Sequence, residues 1–445
     1  MTSLFGTDGV RGVANVDVGP ELALHLARAA ACRLLGGRGR AIIGMDTRLS
    51  GPMLESALAA GFASAGLDVF LAGIIPTPAI SFLIKDERAD FGAVISASHN
   101  PPLDNGIKFF DRYGMKLSVE QEIEIERAID ERTERSPHVG SIRPLEAAAT
   151  RYAAFLAGTI DVEEIDLSGL KLVADCAYGA TGAIAPRVLR HLGADVIALH
   201  SEPDGMKINQ ECGSTHLGPL RETVLREGAD LGIAFDGDGD RALLVSAGGD
   251  VIDGDQMIGV VAKHLHARGL LDPPMVVTTI LSNLGLERHL AEHGIRTLRT
   301  PVGDRHVARA MQQHGAQIGG EQSGHIILSE HSPTGDGILT AVKLLEFAHQ
   351  AGVPLGVLCQ EIPRYPQVHA NLAFDRPADI VGHPDAQRVI EQAHRDMGER
   401  GRVVVRTSGT QPLVRVMVEA EDAALCERTC ARLVESLEGL RAVVH

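Results

Sequence analysis

Apolar and polar positions along the chain follow two alternating rhythms. Short apolar runs, read as buried strands, recur between longer stretches whose apolar residues fall three and four apart, read as helices. After a Gly-, Asp- and Val-rich opening at 1–19, the spacing predicts a helix over 20–35 and a strand over 41–44. A helix over 53–65, a strand over 69–73, a helix over 78–85 and a strand over 91–95 follow. A charged helix over 119–135 comes next, and its charged face reads as solvated surface. Past a seam at 137–144 the pattern repeats, with strands over 170–174, 196–199 and 231–235 and a helix over 219–227. It repeats again with helix 255–268, strand 275–280, helix 284–294, strand 295–299 and helices 303–314 and 336–350. Near Arg364 the order changes to strand 368–374, helix 386–397, strands 402–406 and 414–419, and helix 423–437. Alternating strands and helices predict α/β layers with largely parallel sheets, and the tail predicts a smaller α+β unit. The expected domains are 1–147, 148–247, 248–364 and 365–445.

Composition narrows the function classes. A chain of 445 residues needs several domains, and 44% hydrophobic residues can supply several cores. A net charge of −16 argues against nucleic-acid and membrane-surface partners. With no Trp and 3% aromatic residues, base-stacking platforms are not expected. No apolar run approaches the ~18 residues of a membrane span. The opening residues show no basic segment followed by an apolar block, so a cytoplasmic protein is expected. The cysteines (32, 176, 212, 359, 426, 430) are scattered and lack Cys-x-x-Cys spacing, as in reduced core thiols. Cys426 and Cys430 share a helical face, but zinc would require two further ligands.

Four loops carry candidate chemistry. In the first, over 94–108, an apolar strand breaks into Ser96-Ala97-Ser98-His99-Asn100-Pro101-Pro102. Ser98 and His99 should stand on a stiff loop at the carboxyl end of a strand, where open α/β sheets bind ligands. A serine beside a histidine, with Lys108 following, suits covalent chemistry on an anionic group. The second loop is Asp236-Gly237-Asp238-Gly239-Asp240-Arg241. Carboxylates at alternate positions, spaced by glycines, can fold around a hard divalent cation, with Mg²⁺ favoured and room for a phosphate oxygen. A calcium EF-hand is excluded. Its sixth position would be Arg241 rather than Gly, its twelfth Ala247 rather than Glu, and a strand precedes it rather than a helix. Arg241 would contact the same phosphate. The third loop, Gly319 to His325, spaces Glu321, Ser323 and His325 so that an extended chain presents them on one side, suited to sugar hydroxyls. His325 could also move a proton. The fourth, Arg406-Thr407-Ser408-Gly409-Thr410-Gln411-Pro412 with Arg415, reads as a phosphate nest. No P-loop and no dinucleotide fingerprint occurs.

Together with Phe5-Gly6-Thr7-Asp8-Gly9-Val10-Arg11-Gly12, these four motifs resemble the α-D-phosphohexomutase superfamily over the whole chain. Gln322, Cys212-Gly213-Ser214-Thr215 and Val302-Gly303-Asp304-Arg305 resemble its bacterial phosphoglucosamine mutase branch. The resemblance implies three consecutive mixed-sheet α/β domains and a smaller α+β domain around a central active-site cleft. It implies an isomerase that interconverts glucosamine 6-phosphate and glucosamine 1-phosphate, supplying UDP-N-acetylglucosamine and cell-wall precursors. Ser98 would be a phosphoserine and glucosamine 1,6-bisphosphate the intermediate and activator. One Mg²⁺ per site would be held by Ser98, Asp236, Asp238 and Asp240. Arg11, Lys108 and His325 would stabilise transferring charge or move protons, and His99 would position the loop. Arg241, Asp304, Arg305, Glu321, Ser323, Arg406, Ser408, Gly409, Thr410 and Arg415 would bind substrate. The partner would be a small phosphosugar, with neither nucleic acid nor membrane, and the resemblance allows a homodimer. The same chemistry on mannose or glucose phosphates is the nearest alternative. A metal-dependent phosphatase and a non-catalytic phosphosugar-binding protein are the rivals from other classes. The chain departs from the branch at Gln411, where Glu is usual.

Overall fold

The structure, a computed structural model, describes residues 4–6, 8–129, 138–160, 165–408 and 412–442. They form two compact units, Met1–Thr279 with Ile295–Glu361, and Ile280–Gly294 with Ile362–His445.

The first unit contains three sheets in succession. The first comprises β1 (Val10–Val13), β2 (Gly39–Met45), β3 (Leu67–Ile74), β4 (Phe91–Ile95), β5 (Asp104–Asp111) and β6 (Ile142–Pro144), in the order β1-β5-β4-β2-β3-β6. Strands β2, β3, β4 and β6 are parallel, while β5 runs antiparallel to β4 and β1 antiparallel to β5. Helices Pro20–Leu35, Gly51–Ser64 and Thr77–Asp86 connect the parallel strands. Such strands are covered on both faces, which is why β4 is apolar and buried at every position. Phe62 packs edge-on to Phe91 at 5.8 Å in this core.

The second sheet holds β7 (Lys171–Asp175), β8 (Asp195–Leu199), β9 (Leu231–Phe235), β10 (Ala242–Ser246) and β11 (Val251–Ile252), ordered β11-β10-β9-β7-β8. The third holds β12 (Met275–Thr279), β13 (Arg296–Thr300), β14 (Ile318–Gly320) and β15 (Ile326–Leu328), ordered β13-β12-β14-β15. In each sheet a buried strand is followed by an antiparallel return: β5 after β4, β10 after β9, β15 after β14. The sheets are therefore mixed, not largely parallel as the apolar pattern alone predicts. The three reversing turns are the first three candidate loops.

The second unit has a three-stranded antiparallel sheet, β16 (Gln367–Ala373), β17 (Gly401–Thr407) and β18 (Leu413–Ala420), in the order β16-β18-β17. Helices Pro384–Met397 and Ala423–Gly439 share its core through Ile390, Val416, Val418 and Leu433. Helix Leu284–Glu292 belongs here too, although chain order sets it among the elements of the third sheet. The Leu284 N–H donates to buried Glu419 at 3.0 Å, and Asn283 exchanges hydrogen bonds with the Tyr365 backbone. The fourth candidate loop joins β17 to β18. No helix among the described residues is long and apolar enough to cross a membrane.

Candidate active site

Strand β4 delivers the chain to Ser96, Ala97 and Ser98, all fully buried. Ser98 has φ +52°, a left-handed conformation that L residues seldom adopt without imposed constraint. Its N–H donates to Ser96 Oγ at 2.8 Å, and Ser96 Oγ donates to Asp46 at 2.7 Å. The expected loop 94–108 is shorter than predicted, because β5 begins at Asp104. Lys108 therefore sits on a strand opposite Val94, buried, rather than on a flexible loop.

The acidic loop reverses the chain between β9 and β10. Gly239 takes φ +71°, which permits the tight turn. Ser98 Oγ donates to Asp236 Oδ2 at 2.7 Å across 138 residues of sequence, and His99 Nδ1 lies 3.2 Å from Ser98 Oγ. Carboxylate oxygens of Asp236, Asp238 and Asp240 lie within 4.8 Å of one another, all three residues being buried. Burial, then repulsion from Asp240 and Asp238, pushes the Asp236 carboxyl well above its usual range. Oδ1 of Asp238 and Oδ1 of Asp240 are buried and receive no hydrogen bond. Crowded carboxylates with unused oxygens, facing a serine hydroxyl, fit a hard divalent cation.

Lys108 neutralises part of this charge, with Nζ 2.9 Å from Asp238, 3.1 Å from Asp8 and 3.7 Å from Asp240. Burial disfavours its ammonium, but Asp238 and Asp8 outweigh burial, so the proton is held more firmly than on a free lysine. Arg11 pairs with Asp8, and Lys116 bridges Asp8 to Asp304. Burial would raise the Asp8 carboxyl, yet Lys108, Lys116 and Arg11 hold it well below the usual range. Thr77 Oγ1 donates to Asp238 at 2.6 Å. Sequence reasoning assigned no role to Asp8, Lys116 or Thr77. Asp8 lies inside a quoted motif, whereas a lone lysine and a helix-start threonine carry no local signal.

His325 is buried between Asp240 (3.6 Å from Nδ1) and Asp304 (3.6 Å from Nε2). Burial disfavours the imidazolium, but the hydrogen bond and charge of Asp240, with Asp304, prevail and raise its pKa. The Gly335 N–H, however, points at Nε2 from 3.1 Å, which suits only the neutral ring. The two carboxylates and the Gly335 N–H therefore bear on the ring in opposite directions. His99 is pushed down to about 4, first by burial and then by Arg241 and Arg11, which favours the neutral ring. Arg241 approaches Asp240 at 3.8 Å, and its buried Nε makes no hydrogen bond.

The third loop is a tight turn, not an extended segment: the Glu321 N–H donates to the His325 carbonyl, and Gly324 has φ +90°. Glu321 accepts from the Gly303 N–H at 2.9 Å, and Ser323 Oγ is buried without a partner. Gln322 donates to Asp253, the cap of helix Gly254–Ala267. Arg305, expected at the substrate, donates to Glu122 through two hydrogen bonds of 2.7 and 2.5 Å. The helix Val119–Ile129 thus has one buried acid on a face expected to be solvated; residues 130–137 lie outside the described residues. A cavity of about 760 Å³, lined in part by Lys116, Asp304, Arg305 and His325, adjoins these groups. In the second unit Arg406 faces Arg415 across the β17–β18 ladder. Burial, then Arg415, loosens the Arg406 proton, and Arg415 Nε is buried without a hydrogen bond among the described residues. Like charges set directly opposite on a sheet repel one another. Ser408 closes the turn by donating its N–H to Leu413 at 2.9 Å. Gly409, Thr410 and Gln411 lie outside the described residues.

Family models for phosphoglucomutase/phosphomannomutase match four successive parts of the chain: α/β/α domain I over 2–136, domain II over 150–249, domain III over 253–365 and the C-terminal domain over 370–436. The chain belongs to the phosphoglucomutase/phosphomannomutase family. It is accordingly an enzyme of the mutase class within the phosphohexomutases. It is 47% identical to the phosphoglucosamine mutase of Carboxydothermus hydrogenoformans, covering 99% of this chain and 100% of that one. With the phosphoglucosamine mutase of Saccharopolyspora erythraea it is 46% identical, again over 99% and 100%. A phosphoglucomutase/phosphomannomutase family protein from Burkholderia thailandensis has a similar structure, with TM-score 0.84 and 26% identity over 100% and 99% of the two chains. The Aspergillus fumigatus N-acetylphosphoglucosamine mutase, solved with GlcNAc-6P and magnesium, shares the fold at TM-score 0.72 and 16% identity, covering 99% and 96%.

Proposed function

We propose that the chain interconverts glucosamine 6-phosphate and glucosamine 1-phosphate in the cytoplasm, through a phosphorylated Ser98 and a glucosamine 1,6-bisphosphate intermediate. The observation carrying this reading is Ser98 Oγ, 2.7 Å from Asp236 of the acidic trio, in a chain that aligns end to end with phosphoglucosamine mutases. In the first transfer, O1 of glucosamine 6-phosphate attacks phosphorus on Ser98. The P–Oγ bond breaks and the O1 proton leaves. The bisphosphate then turns over. Ser98 Oγ attacks the other phosphorus, the bond to O6 breaks, and O6 gains a proton, so phosphate and protons balance over the cycle. Lys108 and His325 are the proposed proton handlers, and Arg11 and Arg241 the groups that meet charge on the moving phosphoryl. Asp236, Asp238 and Asp240, with the phosphoserine, would hold Mg²⁺, which when bound neutralises phosphoryl charge. Glu321 and Ser323 would hold sugar hydroxyls. Arg406, Ser408, Gly409, Thr410 and Arg415 would grip the phosphate that is not reacting, leaving the sugar free to bind in two flipped poses. Asp304 fits a supporting role through Lys116 better than direct substrate contact.

The test is a mutase assay with Mg²⁺ and the bisphosphate on glucosamine 6-phosphate, glucose 1-phosphate and mannose 1-phosphate, with intact mass of the protein. A phosphate-sized increment absent from Ser98→Ala, and preference for the amino sugar, are expected. Faster turnover of either hexose would move the specificity to the phosphoglucomutase or phosphomannomutase alternative. Wild-type activity in Ser98→Ala would sink the mechanism.

A further inference from the structure

Ser98 holds a left-handed backbone in the middle of a turn, and two side chains end on its carbonyl. Arg48, just beyond β2, is fully buried, and every N–H of its guanidinium is used. Nε donates to Asp46 at 2.9 Å. One terminal nitrogen donates to the carbonyls of Ser98 at 2.9 Å and Asn100 at 2.8 Å. The other donates to the carbonyl of Asp104 at 2.8 Å and to that of Pro101. A guanidinium is a rigid planar fork, so these carbonyls from both limbs of the turn are fixed relative to one another.

The second side chain comes from the next sheet. Asn209, in the segment after β8, donates Nδ2 to the same Ser98 and Asn100 carbonyls at 2.9 and 3.2 Å. The same amide packs on the acidic loop: a Cβ added to Gly237 would lie 2.8 Å from Asn209 Nδ2. Asn209 thus lies against both the serine loop and the carboxylate loop. Its own φ is +60°, and the segment is pinned from below. The Asn209 N–H donates to the Ala177 carbonyl at 3.1 Å. Asp175 accepts the N–H groups of Ala177 and Gly213 at 3.0 Å each and contacts His200 Nδ1 at 2.9 Å. Cys212 lies close enough to Asp175 and His200 to resemble a metal cluster. The Asp175 oxygens, however, are spent on the backbone that carries Asn209.

We propose that Arg48 and Asn209 are positioning residues for phosphoryl transfer, which together hold Ser98 in its left-handed turn and set its Oγ against the acidic loop. This rests on the phosphoserine reading of the site. Neither residue needs to touch sugar or phosphate; each acts through the Ser98 peptide. Small displacements of a reacting atom cost rate rather than binding, so kcat should fall while KM holds.

The test compares wild type with Arg48→Lys, Arg48→Ala, Asn209→Ala and Ser98→Ala. Thermal melting reports folding, steady-state turnover of glucosamine 6-phosphate gives kcat and KM, and rapid quench with intact mass follows phosphate loading of Ser98 from glucosamine 1,6-bisphosphate. Folded Arg48→Lys and Asn209→Ala should lose about 10²-fold in kcat and in loading rate, with KM within about threefold. Added guanidinium should restore about tenfold to Arg48→Ala and nothing to Asn209→Ala. Should Arg48→Ala fail to fold, Asn209→Ala and Arg48→Lys decide alone. Folded variants that turn over within about twofold of wild type, or that raise KM at unchanged kcat, overturn the positioning roles. Wild type that takes no phosphate on Ser98 overturns the phosphoserine reading itself, whatever the variants do.

Discussion

The pair between Glu122 and Arg305 gives a prediction whose size follows from its geometry. Two charge-assisted hydrogen bonds, at 2.7 and 2.5 Å, join helix Val119–Ile129 to helix Asp304–His314. The two side chains keep only 8% and 15% exposure, and Arg305 Nε already lacks a partner. Removing either partner strands the other's charge, which costs about 3–5 kcal/mol at a buried pair. Yet the intact pair is close to break-even. Burial raises the Glu122 carboxyl, and Arg305 only partly brings it back. Two apolar side chains should therefore replace the pair at little cost. In urea unfolding, Glu122→Leu and Arg305→Leu should each lose about 3–5 kcal/mol, while the double variant carrying both changes should lie within about 1 kcal/mol of wild type. If each single change costs under about 1 kcal/mol, or the double change costs their sum, the reasoning fails. A kinetic arm addresses function. The double variant should keep its KM for glucosamine 6-phosphate; a KM raised about tenfold in folded protein would return Arg305 to the substrate.

Replacing Lys108 by Met should lower kcat about 10²–10⁴-fold, the usual range for a lost proton-transfer or charge-stabilising group, with KM little changed; a loss under tenfold would remove it from the chemistry. Mg²⁺ at a hundred times its Kd should stabilise the protein by about 2.7 kcal/mol, seen as a chelator-reversible rise in Tm that Asp240→Asn largely abolishes. A Tm indifferent to Mg²⁺ would mean that the acidic trio is no cation site. Asp336, which accepts from Tyr152 at 2.6 Å and caps helix Gly337–Ala351, has a pKa raised by burial to about 6. A raised carboxyl favours the folded state when protonated, so its contribution is full below about 4 and is lost as pH rises through about 6, a swing of roughly 3 kcal/mol. Asp336→Asn should flatten the stability profile between about pH 4 and 6; an unchanged profile refutes the assignment.

What could be read along the chain, and what could not, divides on where the partners come from. Strands β4 and β9 were legible to the residue because burial on both faces leaves an unbroken apolar run. The motifs at Ser98 and at Asp236, Asp238 and Asp240 were legible because serine, histidine and alternating carboxylates break such runs at their carboxyl ends. Strand β5 was not. Asp104-Asn105-Gly106 reads as a turn, and Lys108 interrupts the apolar pattern, so a buried strand passes for loop. That interruption carries information: Lys108 is on a strand because only there does it meet Asp238, 130 residues away in sequence. Glu122 misleads in the opposite direction. On an amphipathic helix an acid looks solvated, and nothing nearby in sequence announces the arginine at 305 that buries it. Arg48 is the harder case, since an arginine after a strand is unremarkable until its donors are traced to the turn between β4 and β5, some fifty residues on. A charged residue inside an apolar strand therefore deserves a functional reading even from sequence. A charged residue on a helix face or in a turn does not, because local periodicity is blind to partners supplied by another sheet.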